Sequence, residues 1–282
     1  MKLLKAIEKG LVFFDGAMGT MLLKSGMNLE KPLDVCNIED PLRVEKIHRS
    51  YVEAGAQVIT TNTFQANELR LKDYGYSIEA VIEAGIKLAK ACGSQYVAQD
   101  IGPIGKVEPM GNLSFYEAYS IFKKQVTVGA KIGVDCILLE TFFNLKEVEA
   151  AILAAKDHSN LPIFCTMTFD QKGRILSGEE AGHIANQLQS LGVDALGINC
   201  SLGPKEILHI LPNFMKGVKI PVMVQANAGL PTKVEGTTQY TIDPETFGFY
   251  GSRMKELGVR ILGGCCGTTP AHIHALITAI KD

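Results

Sequence analysis

Apolar residues recur along this chain in two rhythms. In segments such as SIEAVIEAGIKLAKA (77–91), LKEVEAAILAAK (145–156) and AHIHALITAIK (271–281) they return every third or fourth position, which gives a helix one apolar face. Between such segments lie short runs of β-branched and apolar residues, entered through a glycine: AGAQVITT at Gly55, CGSQYVAQD at Gly93, IGVDCILLE at Gly133, LGVDALGIN at Gly192 and LGVRILGG at Gly258. Glycine just past a helix adopts the left-handed conformation cheaply and turns the chain into a strand. Two more junctions, NLPIFC at Pro162 and KIPVMV at Pro221, use proline, which a helix cannot carry onward. With the opening run LVFF the pattern predicts eight strands alternating with helices.

That alternation in a chain of 282 residues predicts an α/β fold, a (β/α)8 TIM barrel forming a single domain over residues 1–282. A doubly wound open sheet usually carries a glycine-rich phosphate turn after its first strand, and DGAMGT (15–20) is not G-x-G-x-x-G. Connections from helix to strand are tight, whereas those from strand to helix are long at 15–40, 62–77, 101–113 and 226–242. Long loops on one rim place the chemistry at the C-terminal ends of the strands.

Composition narrows the function. The chain is 46% hydrophobic and 21% charged with a formal net charge of −2, and its 28 Lys and Arg residues are dispersed. This balance points to neither nucleic acid nor a membrane surface as partner. The opening MKLLKAIEKGLVFFDG is broken by Lys5, Glu8 and Lys9 and lacks the apolar centre of a signal peptide, so a cytoplasmic location is expected. Seven cysteines without secretory features argue against a disulfide framework. Cys136 and Cys165 lie in strand-like runs, and Cys36 and Cys92 lack ligand-type neighbours; all four read as buried fillers.

The residues at the strand ends are Asp15, Thr61, Asn62, Asp100, Glu140, Thr168, Asn199, Cys200, Gln225, Asn227, Cys265 and Cys266. The sixth and eighth strands are two apart around a barrel, so Cys200 and the vicinal pair can face one point above its axis. Three sulfurs suit Zn²⁺ and leave a fourth position open. Spacing alone leaves equal room for a core Cys200 and an incidental thiol pair, since no C-x-x-C motif is present. The six histidines read as surface or packing residues; no H-E-x-x-H or G-x-S-x-G element supports a hydrolase.

DGAMGT (15–20), GINCSLGP (197–204) and GGCCGTTP (263–270) together resemble the signature stretches of the zinc-dependent homocysteine S-methyltransferase family, above all its homocysteine-binding module in cobalamin-dependent methionine synthase. The resemblance runs from the first strand to the last. It implies that Cys200, Cys265 and Cys266 hold zinc, with the L-homocysteine sulfur as fourth ligand during turnover. It implies further that Asp15, Gly16 and Ala17 form a turn whose backbone N–H groups face the substrate carboxylate, and that Glu140 takes the ammonium; the plainer reading of Asp15 and Glu140 is a rim salt bridge. Methylcobalamin is the implied methyl donor, carried with folate-binding modules in the same longer chain or in separate proteins, because one barrel uses up these residues. S-methylmethionine or betaine could serve instead, with Asp100, Phe115 or Tyr116 drawn into a cation site. A non-catalytic module that binds zinc and homocysteine is the remaining alternative.

Overall fold

Eight parallel strands form one sheet that curls almost shut. The computed structural model describes every residue except Leu29, Glu235, Gly236 and Asp282. Its strands are β1 (Val12–Phe13), β2 (Val58–Thr60), β3 (Tyr96–Ile101), β4 (Cys136–Phe142), β5 (Ile163–Met167), β6 (Ala195–Asn199), β7 (Val222–Ala226), β8 (Thr232–Val234), β9 (Thr237–Gln239) and β10 (Ile261–Gly264). The sheet order is β1-β10-β7-β6-β5-β4-β3-β2, and a single bridge between Phe14 and Val58 joins its two ends. This is the predicted (β/α)8 barrel, with helices such as Ile78–Ala91, Leu145–His158 and Pro270–Lys281 packed outside.

Strand parity divides the core in two. Odd and even residues of a strand face opposite sides, and here Phe14, Ala98, Leu138, Phe164, Met223 and Ile261 fall in one inner cluster, apart from the larger cluster between strands and helices. Continuing each inner row toward the C-terminal rim brings in Thr60, Asp100, Glu140, Thr166, Asn199 and Gln225. The barrel thus has an apolar lower half and a polar upper one. Cys136 joins the inner cluster, Cys36, Cys92 and Cys165 the outer, and all four are buried.

Two elements go beyond the strand and helix pattern. The helix Lys2–Lys9 inserts Leu3 and Ile7 into the inner cluster and closes the floor of the barrel. The 226–242 connection, expected as a loop, contains the antiparallel hairpin β8–β9. Short helices at Gly19–Lys24, Cys36–Glu39 and Glu68–Leu71 likewise occupy the rim loops 15–40 and 62–77. No helix among the described residues is long and apolar enough to cross a membrane.

Candidate metal centre and substrate cavity

Cys200 follows β6, Cys265 and Cys266 follow β10, and β7 lies between the two strands. Strand β7 and its extension set the height of all three: Cys200 N–H donates to Gln225 O at 3.1 Å, Cys265 N–H to Ala226 O at 2.8 Å, and Ala228 N–H to Cys266 O at 2.9 Å. Cys200 and Ser201 have positive φ (55° and 54°), a left-handed conformation that disfavours side chains bearing Cβ and here turns the chain off the strand.

How neighbouring cysteines share one side is settled by the turn they start. Thr268 N–H donates to Cys265 O at 3.1 Å, closing a four-residue turn whose third position, Gly267, has φ +81°. That position favours glycine, and a tyrosine ring lies against it: a Cβ on Gly267 would stand 2.2 Å from Tyr240 Cγ. The strict alternation of a strand is therefore lifted between Cys265 and Cys266. The three sulfurs all lie within 4.8 Å of one another, Cys200 and Cys266 being 3.8 Å apart.

This donor set fits Zn²⁺. Three thiolates from two loops can occupy three corners of a tetrahedron and leave the fourth to a ligand from the cavity. Two acceptors at the end of β7, Gln225 Oε1 and Asn227 Oδ1, are buried without partners beside the cysteine loops, as befits a place for a cation. The three thiols act on one another: the neighbouring Cys200 and Cys265 hold the Cys266 thiol well below its ordinary range, while those of Cys200 and Cys265 are raised.

The sulfurs open onto a cavity of about 640 Å³, also lined by Asp15, Gly16, Ala17, Asp100 and Glu140. The Asp15 carboxylate is engaged: it accepts from Thr60 N–H at 2.9 Å and Thr60 Oγ1 at 2.8 Å, supplementing the single bridge that closes the barrel there. Ala17 N–H donates to Thr268 Oγ1 at 3.1 Å, while Gly16 N–H has no acceptor among the described residues. Gly16 is tightly enclosed, since a Cβ there would stand 2.6 Å from Thr268 Oγ1. Neither Asp15 nor Glu140 forms an ion pair among the described residues. Tyr116 is exposed, and neither it nor Phe115 lines the cavity.

Asn199 ties this half of the site together, a role the sequence reading left open. Its Oδ1 accepts from Thr141 N–H and Thr166 Oγ1, both at 2.9 Å; its Nδ2 donates to Thr141 Oγ1 at 2.7 Å and reaches Glu140 Oε2 at 3.5 Å and Cys265 Sγ at 4.0 Å. Thr141 in turn has φ 66°, beside the irregularity that breaks the β4–β5 register. His272 behaves as a packing residue: its ring nitrogens bond Thr269 Oγ1 and Ile242 O, both at 2.9 Å.

Burial pushes Asp15 up to about 7 and Glu140 up to about 8, and raises Asp100 well above the carboxylate range with help from the neighbouring Glu140 charge. The linkage has a definite sign. A carboxyl raised in the folded state contributes full stability below its unfolded value of about 4, and that contribution is lost as pH rises toward the folded value. The metal-free Asp100→Asn variant is therefore expected to melt above the parent chain by a margin that widens from pH 5 to pH 8. A margin independent of pH in parallel melting curves would contradict this.

The homocysteine S-methyltransferase family model matches residues 12–280. Methionine synthases from Mycobacterium tuberculosis and Mycobacterium leprae are 32% and 31% identical to this chain, over 302 and 300 aligned residues and 99% of its length. The chain spans only 25% of each of those proteins. The metallated homocysteine methyltransferase MmuM from Escherichia coli superposes with a TM-score of 0.83 at 24% identity, covering 98% of this chain and 99% of that one, a likeness of fold. A sequence match running from β1 into the last helix, on a barrel that brings three cysteines together at its rim, establishes that the chain belongs to the homocysteine S-methyltransferase family.

Proposed function

We propose that this barrel transfers a methyl group to the sulfur of L-homocysteine, giving methionine, with Zn²⁺ held by Cys200, Cys265 and Cys266. The observation that carries this reading is the convergence of three sulfurs on a cavity whose other wall is acidic. A free thiol titrates near ~8.5 and is mostly protonated at neutral pH. Bound zinc supplies a deprotonated sulfur without a general base, and three anionic ligands around it leave that sulfur electron-rich.

The chain's own residues orient the substrate. Glu140, steadied by Asn199, is placed to take the ammonium, and the Asp15–Ala17 turn with its free Gly16 N–H to receive the carboxylate. In the transfer the substrate sulfur donates an electron pair to the methyl carbon. The bond from that carbon to the donor breaks, and the donor keeps the bonding pair.

Methylcobalamin on another domain or protein is the proposed donor, supported by the methionine synthases that the chain matches over a quarter of their length. Cobalamin-carrying and folate-binding modules are then its partners. The test is anaerobic: zinc-loaded protein, homocysteine and free methylcobalamin, followed by the loss of the methyl–cobalt absorbance and the appearance of methionine. Turnover supports the reading. Methionine formed only from S-methylmethionine or betaine would reassign the donor, and none from any donor would reduce the barrel to a binding module.

A further inference from the structure

Asp100 is a carboxyl group that neither the metal centre nor the barrel's own hydrogen bonding uses. It follows Tyr96 and Ala98 at alternate positions of β3, both members of the inner cluster, so its side chain continues that row into the polar upper layer. It is 6% exposed and lines the same cavity as Glu140 and the cysteines. Its main chain is satisfied, with N–H donating to Thr61 Oγ1 at 3.0 Å and C=O accepting from Thr63 Oγ1 at 2.7 Å. The carboxyl is different: Oδ1 is enclosed without a partner, and no hydrogen bond to Oδ2 is formed among the described residues.

Two other buried acids of this chain are compensated. Asp15 accepts two hydrogen bonds from Thr60, and Glu147 accepts the N–H groups of Ile104 and Gly105. An isolated buried carboxylate is costly unless it is neutralised or paired. The charges bearing on Asp100 are acidic as well, those of Glu140, Asp34 and Asp15. No lysine or arginine pairs with Asp100 among the described residues: of the two that line the cavity, Lys31 pairs with Glu39 and the Arg70 charge bears on Asp34, so a cation for Asp100 would enter with the ligand. Glu140 stands on the adjacent strand two residues beyond Leu138, the register partner of Asp100, so both acids face the cavity from neighbouring strands.

We propose that Asp100 is a specificity-determining residue which, together with Glu140, receives the α-ammonium group of the substrate and so selects amino-acid thiols over thiols that lack the amine. The inference rests on the homocysteine reading and deepens it. An ammonium has three N–H donors, enough for both carboxylates at once. A thiol without the amine leaves two acids uncompensated beside its own negative charge, which rejects it.

Calorimetry on zinc-loaded protein, without oxygen or methyl donor, tests this with L-homocysteine and with 4-mercaptobutanoate, which has the same thiol and carboxylate and no amine. Asp100→Asn keeps the shape and is expected to weaken homocysteine binding roughly 10- to 100-fold, the loss of a hydrogen bond to a charged group, and to leave 4-mercaptobutanoate binding unchanged or tighter. Equal loss for both thiols, or none for homocysteine, overturns the proposal; the latter includes the case in which Asp100 serves a cationic donor. Failure of the parent chain to bind homocysteine at all overturns the substrate reading and this inference with it. Folding is checked in the metal-free form at pH 8: an Asp100→Asn chain that melts below the parent would show that the carboxyl is compensated within the barrel, which also contradicts the proposal.

Discussion

Replacing Cys200, Cys265 or Cys266 singly by alanine is expected to abolish methyl transfer and most zinc retention while the barrel stays folded. Loss of an outer hydrogen-bonding partner of a metal ligand typically lowers metal affinity or activity ~10–100-fold, and removing a ligand itself exceeds that. The fold should survive because the three side chains sit at the rim, partly exposed, above the polar upper layer and outside both apolar clusters. Zinc content after gel filtration, circular dichroism and methionine formation separate the two effects. A variant that keeps zinc and activity would show that its sulfur is not a ligand.

The largest effect on stability is expected at the other end of the barrel. Leu3 and Ile7 are 1% and 2% exposed and are the side chains that the first helix contributes to the buried inner cluster. Leu3→Ala or Ile7→Ala should each cost about 2–5 kcal/mol, the range for deleting a large apolar side chain from a core. Denaturant unfolding would register a lower midpoint with an unchanged slope. Losses well below 1 kcal/mol would mean that the floor is not packed as described.

Helix periodicity and the glycines at 55, 93, 133, 192 and 258 are local signals, each with positive φ in the folded chain, and they are enough for the alternation of a barrel. The convergence of Cys200 with Cys265 and Cys266 follows from strand order once the barrel is assumed. The floor helix is less legible because KLLKAIEK has only a few apolar anchors, and their use depends on a barrel already being present to close. The strands TKV and TTQ are too short and polar to show alternation. Asn199 and Asp100 are visible as strand-end residues, but their importance lies in partners present or missing across the barrel, which no spacing encodes.

The polar upper layer also carries a general consequence. Burying Asp15, Asp100 and Glu140 around one cavity makes the empty barrel less stable at neutral pH than at pH 5 as far as these groups are concerned, by the linkage given above. On the proposed reading a cationic substrate group would offset this, making a site costly to keep empty selective when filled.

The central claim is that three cysteines hold zinc and present it to the substrate thiol. X-ray absorption at the zinc edge, recorded before and after adding L-homocysteine, tests it most directly. The account predicts three sulfur neighbours plus one lighter atom in the free protein, and four sulfurs at ~2.3 Å with substrate bound. A first shell dominated by nitrogen or oxygen, or one that homocysteine leaves unaltered, would contradict it.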